Sequence, residues 1–294
     1  MKLYELKENV REQLIQAEKK EADVESTIII EYVTGCNAST LFLKKQEEVA
    51  KELVDRAFDI VEKRRTHMPM QYIIVTQEFM GLPFLVNENV LIPRQDTELL
   101  VEQTLKQLKP GIKVLDMCTG SGCIGISIKK HYRDVDVTCV DISEKALQVA
   151  RENARRNQVE ITFLQSDLFE DVKDRYDVIV SNPPYIESDV IPTLMEEVKD
   201  FEPVLALDGE KDGLAFYRRL AKESFSYLKK GGMLLLEIGY NQGKAVSKLL
   251  ADNGYSQVEV KKDLCGLDRN VTAVLENVTD SSLDKRRKKM DCCG

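Results

Sequence analysis

Val114-Leu115-Asp116-Met117-Cys118-Thr119-Gly120-Ser121-Gly122-Cys123-Ile124-Gly125 is the stretch from which the fold of this chain can be read. An apolar strand runs into a glycine turn, and the turn opens a helix. Gly120, Gly122 and Gly125 spell G-x-G-x-x-G, and glycine lets a ligand approach the backbone closely. The following strand ends in Asp141. That is roughly the twenty-residue spacing at which an acid accepts from ribose hydroxyls in nucleotide-binding sheets.

Outward from this stretch, strands and helices alternate. The patterning predicts strands near 113–117, 135–140, 161–165, 176–181, 232–238, 255–260 and 271–276, with helices near 122–132, 143–157, 213–229 and 241–252. Such alternation implies an α/β fold with a mostly parallel, seven-stranded sheet. Upstream the period is helical. Leu3, Leu6, Val10, Leu14 and Ala17 share one helix face. A second segment is apolar at Val24, Ile28, Ile29, Tyr32 and Val33, and a third at Val49, Leu53, Ala57, Ile60 and Val61. The third ends in Lys63-Arg64-Arg65, which suits a helix C-terminus. Tyr72-Ile73-Ile74-Val75 and Phe84-Leu85-Val86, separated by Gly81 and Pro83, predict a β-hairpin. Asp96 or Thr97 is the expected cap of the next helix. The expected organisation is a helical bundle over 1–70, a hairpin linker over 71–92, an α/β domain over 93–278 and a disordered tail over 279–294.

Further strand ends carry chemistry. One leads to Ser166-Asp167-Leu168-Phe169, a carboxylate beside an apolar edge. Another, Tyr176-Asp177-Val178-Ile179-Val180-Ser181, leads to Asn182-Pro183-Pro184-Tyr185. Two prolines fix their own φ, and Pro183 biases Asn182 away from the helical region, so this loop is stiff. It presents an amide, carbonyls and one ring, groups that suit a planar substrate bearing NH2. The glycine turn alone fits NAD. Carboxylates at three successive strand ends, Asp116, Asp141 and Asp167, better fit S-adenosylmethionine, which carries a sulfonium and an amino acid in place of phosphates.

Composition narrows the class. The chain has 294 residues and a formal charge of -8, which argues against a broad grip on nucleic acid. No apolar run approaches the ~20 residues of a membrane span. The N-terminus opens into a charged periodic segment and is not a secretory signal. None of the seven cysteines has metal-site spacing, so no metal is expected. Reduced thiols and a cytoplasmic location are the expectation.

Leu91-Ile92-Pro93-Arg94 with Asp96-Thr97-Glu98, the Asp116–Gly122 turn, Asp141, Ser181-Asn182-Pro183-Pro184-Tyr185-Ile186, Phe201-Glu202-Pro203, Ala206-Leu207-Asp208-Gly209 and Asp212-Gly213-Leu214 together resemble the class I methyltransferases that modify the glutamine of peptide chain release factors. The resemblance runs from the helical segment to about residue 276. It implies a Rossmann-like sheet behind a small helical bundle. It also implies methyl transfer from S-adenosylmethionine, leaving S-adenosylhomocysteine, to the side-chain nitrogen of the glutamine in a Gly-Gly-Gln loop. It places Thr119, Gly120, Ser121, Gly122 and Asp141 around methionine and ribose, Asp167 and Leu168 near adenine, and Asn182, Pro183, Pro184 and Tyr185 on the glutamine. We further expect Asp116, Cys118 and Ile142 at the cofactor and Arg94 at the substrate. Gln95 stands where the family usually has a second proline, and Glu210 where a second glycine is common.

The mechanism this predicts is one of orientation. The Asn182 side-chain oxygen and the Pro183 carbonyl accept the two N–H bonds of the glutamine amide while Tyr185 packs on its plane. The rival readings are an adenine-N6 or other nucleic-acid amino methyltransferase, a scaffold that binds the cofactor without catalysis, and a dehydrogenase. The expected partner is a release factor, with no membrane and no stable nucleic-acid partner.

Overall fold

A computed structural model describes residues 1–276 of the chain; the basic tail with Cys292 and Cys293 lies outside the described residues. In chain order the elements begin with helices α1 (Leu3–Gln16), α2 (Ala22–Thr34), α3 (Ala38–Leu43), α4 (Lys51–Arg65) and α5 (Met70–Ile74). Strands β1 (Gln77–Phe79) and β2 (Leu82–Phe84) follow, then α6 (Gln95–Leu105), β3 (Ile112–Met117), α7 (Cys123–His131), β4 (Val135–Asp141) and α8 (Glu144–Asn157). Next come β5 (Thr162–Gln165), β6 (Tyr176–Ser181), α9 (Glu196–Lys199), α10 (Val204–Leu207) and α11 (Ala215–Glu223). The described chain closes with β7 (Leu228–Glu237), α12 (Gly243–Asp252), β8 (Tyr255–Lys262) and β9 (Asp268–Leu275). They form two compact units. One comprises Met1–Thr76 with Leu194–Phe201, and the other runs over Gln77–Thr193 and onward from Glu202.

The helical unit is built on the predicted face of α1, whose Leu3, Leu6, Val10 and Leu14 are all buried. In α2 the inward face is the expected one in part. Ile29 and Val33 are buried and Ile28 packs on the core, but Val24 and Tyr32 are exposed and Ser26 and Ile30 take their place. Ser26 tolerates burial because its hydroxyl donates to the Asp23 carbonyl at 2.9 Å. Arg64 lies in the basic last turn of α4, as expected, and is buried. Its Nη2 reaches Glu25 in α2 at 2.6 Å and Glu197 in α9 at 2.8 Å, and its Nη1 donates to the Met68 carbonyl at 2.5 Å. That ion-pair cluster fastens the 194–201 segment to this unit. The first expected hairpin strand is a helix instead. Met70 and Ile73, three apart, are buried in the helical core, so packing overrides the β-propensity of Tyr72-Ile73-Ile74-Val75. The hairpin itself is β1 paired antiparallel with β2.

The second unit is the predicted sheet. Its seven strands run in the order β5-β4-β3-β6-β7-β9-β8. The pairs β4–β5, β3–β4, β3–β6 and β6–β7 are parallel, and β9 is antiparallel to both β7 and β8. β6 is buried at all but one position and β3 over its last four residues, as expected of strands covered on both faces. The order turns at β3, which has β4 on one side and β6 on the other. Ligands in open α/β sheets bind beyond the C-terminal strand ends at such a switch point. No helix among the described residues is long and apolar enough to cross a membrane.

Candidate functional site

A cavity of about 310 Å³ opens at this switch point, at the low end of the usual size of small-molecule sites. The turn after β3 supplies Cys118, Thr119, Gly120 and Ser121, and β4 and its loop supply Asp141 and Ile142. Asp167 and Leu168 follow β5, and Asn182 and Pro184 follow β6. Arg94 and Thr97 enter from the start of α6. The structure thus brings together most of the residues predicted from the sequence. Asp116, Gly122, Pro183 and Tyr185 are not part of the cavity wall.

Asp116 lies beneath the turn. It is fully buried, and its Oδ2 accepts from the Thr119 hydroxyl at 2.5 Å, the Gly125 N–H at 2.9 Å and the Cys139 thiol at 3.7 Å. The expectation that Asp116 touches a ligand is corrected: its carboxylate ties the turn to the start of α7. Burial pushes its carboxyl up to about 7, against the pull of those donors. The glycines divide their work. Gly120 has φ +55°, and a Cβ there would meet nothing within 4 Å, which leaves its backbone open toward the cavity. Gly122 caps α7 at φ +81°, and a Cβ there would lie 2.8 Å from Ile126. At Gly125 a Cβ would come within 2.4 Å of the Cys139 sulfur, so this glycine lets α7 lie on β4.

Asp141 fixes the turn from the other side. Its Oδ2 accepts from the Gly120 N–H at 2.8 Å and its Oδ1 from the Ser143 N–H at 2.9 Å. Burial raises its pKa, and backbone hydrogen bonds from Ser143, Gly120 and Ile142 oppose the rise. Asp167 pairs with Arg219 of α11 at 2.7 Å. Burial pushes the thiols of Cys118 and Cys123 up, Cys123 to about 12, so both stay protonated and neither is a nucleophile at neutral pH. Arg94 donates to the buried Glu202 at 2.5 Å, which connects two of the sequence motifs. Asp96 and Thr97, expected as caps, lie inside the first turn of α6, whose cap position is Arg94 with no side-chain cap bond.

The proline loop is gripped by its backbone. The Gln242 amide donates to the carbonyls of Tyr185 at 3.0 Å and Gly213 at 3.1 Å, and it accepts from the Gly239 N–H. Ile186 donates to the Leu207 carbonyl at 3.0 Å, and Gly209 donates to that of Ile186 at 2.8 Å. A Cβ at Gly209 would lie 2.7 Å from the Tyr185 Cα, and one at Gly213 would lie 2.4 Å from its carbonyl oxygen. The Gly209 and Gly213 motifs are therefore the clasp of this loop. Tyr185 packs its ring against the sheet core, and burial raises its hydroxyl to about 12. The Asn182 Nδ2 donates to the Thr97 hydroxyl at 3.3 Å.

The sequence did not mark Thr97 and Arg219 as parts of the cavity wall, or Gln242 as the residue that grips the proline loop. Arg219 sits on an amphipathic helix and looks like any solvated charge. Among the described residues no group of acids, histidines and cysteines could hold a metal ion.

Comparison with known proteins gives consistent matches. The family described as methyltransferase small domain matches residues 94–210, and the one described as PrmC N-terminal domain matches residues 5–74. A release factor glutamine methyltransferase of Clostridium acetobutylicum is 42% identical over 257 residues, covering 85% of this chain and 90% of that protein. Its counterpart in Streptococcus pneumoniae is 40% identical over 273 residues, covering 92% and 98%. Among solved structures, a methyltransferase from Pyrococcus furiosus superposes with a TM-score of 0.51 at 20% identity, covering 67% of this chain and 90% of that one, which shows a shared fold.

Proposed function

The chain belongs to the family of release factor glutamine methyltransferases, and from that premise we propose that it methylates the side-chain nitrogen of the glutamine in the Gly-Gly-Gln loop of a release factor, with S-adenosylmethionine as donor. The observation that carries this reading is the placement of Asn182 in one cavity wall with Thr119, Gly120 and Asp141. The cavity's groups fit the donor. The open backbone at Gly120 admits close approach, Asp141 has acceptor capacity for ribose hydroxyls, and Leu168 and Ile142 offer apolar surface for a base. When bound, S-adenosylmethionine supplies an electrophilic methyl group.

The protein's own task is to present an amide nitrogen, a poor nucleophile because its lone pair is delocalised. The Asn182 Oδ1 and the Pro183 carbonyl accept its two N–H bonds, aim the nitrogen and favour its pyramidal form. Tyr185 anchors the loop by packing its ring on the sheet core, and Pro183 and Pro184 keep the loop from relaxing. Arg94, held by Glu202, orients the incoming loop. His131 is engaged with the Met80 carbonyl at 3.1 Å and is outside the cavity wall, so the gain is one of orientation and preorganised charge. The helical unit carries none of these groups and is assigned to docking the protein substrate.

The test is transfer of label from S-adenosylmethionine, with purified release factor and duplex DNA offered in parallel. Label mapped by mass spectrometry to the glutamine of Gly-Gly-Gln is the expected result. Label on adenine with none on the release factor would overturn the reading in favour of a nucleic-acid enzyme.

A further inference from the structure

An amide has two ends, and Asn182 can accept from a substrate only if its oxygen, not its nitrogen, faces the cavity. What sets that orientation lies behind the loop. Ser181, the last residue of β6, pairs with Leu236 of β7, so Asn182 and Glu237 are the next residues along two parallel strands. Glu237 is 1% exposed, and its Oε2 has no hydrogen-bond partner among the described residues. Burial raises the pKa of this carboxyl, while the Thr97 hydroxyl and the Asn182 amide favour its charged form. The Asn182 Nδ2 also donates to Thr97 at 3.3 Å. A carboxylate only accepts. It draws the Asn182 nitrogen inward and would face a flipped Asn182 with oxygen against oxygen, inside a site where an unpaired buried polar atom is costly.

We propose that Glu237 is a positioning residue for the transfer: its buried carboxylate, together with the Thr97 hydroxyl, holds the Asn182 nitrogen inward so that Oδ1 faces the cavity as the acceptor. The inference rests on the role given to Asn182 above. Nothing in it requires Glu237 to touch the substrate.

The environment makes the hold sensitive to pH. Burial pushes Glu237 up to about 7. Arg269 on β9 opposes that rise, and Asp96 on α6 adds to it. Tyr185, Tyr217 and Cys123 also feel the Glu237 charge, each held neutral at pH 7 by burial. Once protonated, the carboxyl can donate to the Asn182 oxygen, and the preference for one orientation is lost.

The experiment compares wild type, Glu237→Gln, Asn182→Ala and the double variant in single-turnover methylation of release factor. Cofactor affinity, KM and thermal midpoint are measured alongside. Glutamine keeps the shape and can both donate and accept. We expect Glu237→Gln to lower kcat by about two- to fivefold, as a flipped Asn182 takes half or more of the molecules, with KM and S-adenosylhomocysteine affinity unchanged and no fall in thermal midpoint. The wild-type kcat should fall as pH drops through about 7, and that of Glu237→Gln should not. On the Asn182→Ala background the second change should add no loss, because residues acting through one group are not additive. Thr97→Val, also nearly isosteric, should behave as Glu237→Gln does and serves if that variant does not fold.

A wild-type kcat in Glu237→Gln, or losses that multiply in the double variant, would overturn the inference. If Asn182→Ala is impaired and Glu237→Gln is not, this inference alone fails. If Asn182→Ala is fully active, the role of Asn182 fails first.

Discussion

Asp116 shows how one residue can be legible in kind and misplaced in role. An acid before a glycine turn reads as a ligand contact, because the sequence cannot show which way the side chain points. In the structure it is a buried staple, and its pKa is raised from 3.8 to about 7 chiefly by burial. The sign follows from that direction. Between those values the folded chain holds a proton that the unfolded chain has released, so stability falls as pH rises through the window. Asn at this position keeps an oxygen for the three donors and places NH2 where Oδ1 now has no partner. Asp116→Asn should therefore remove up to about 1.4 kcal/mol per pH unit of that negative slope. Urea midpoints at a series of pH values would show it, and an unchanged slope would mean that Asp116 is ionised throughout. Glu210 is a second case. It departs from the glycine common at its position, yet it adopts φ +68°, the left-handed conformation that glycine enters freely. The sequence departs, and the backbone does not.

At the scale of elements, β3 to β6 are legible to within a residue or so, whereas β7 begins at Leu228, four residues before the expected start, because Lys229, Lys230 and Gly231 break the apolar run at its opening. The other failures came where tertiary contacts outweigh local preference. Tyr72-Ile73-Ile74-Val75 has strand composition, but Met70 and Ile73 pack into the helical core and the segment forms α5. The inward face of α2 was in part mistaken, because a serine bonded to its own helix replaces an apolar residue there. The clasp on the proline loop was legible only as motifs without a reason. Its reason is contact: Gly213, at φ +67°, abuts the Tyr185 carbonyl and the Gln242 amide. Gly213→Ala should displace that loop, lowering the methylation rate by about tenfold or more while cofactor affinity stays near normal, since misplacement of this order weakens orientation rather than binding. Paired isothermal titration and single-turnover assays would separate the two. Equal loss of both would show that the loop and the Gly120 turn fail together.

For the whole molecule, the sheet unit holds every residue of the candidate site and the helical unit holds none. The buried Arg64, paired with Glu25 and Glu197, gives the helical unit a polar anchor that periodicity could not reveal, because its partners lie far away in the chain. What the sheet unit contributes is a stiff loop beside a cofactor-sized cavity, and the account stands on the carboxamide of that loop. The direct measurement is the single-turnover rate of Asn182→Ala with release factor and S-adenosylmethionine both saturating. A fall on the order of 10² to 10³ with S-adenosylhomocysteine affinity retained is the predicted result. A rate within about twofold of wild type would contradict the account, because the group held responsible for aiming the nitrogen would then contribute almost none of the roughly 3 kcal/mol of transition-state stabilisation assigned to it.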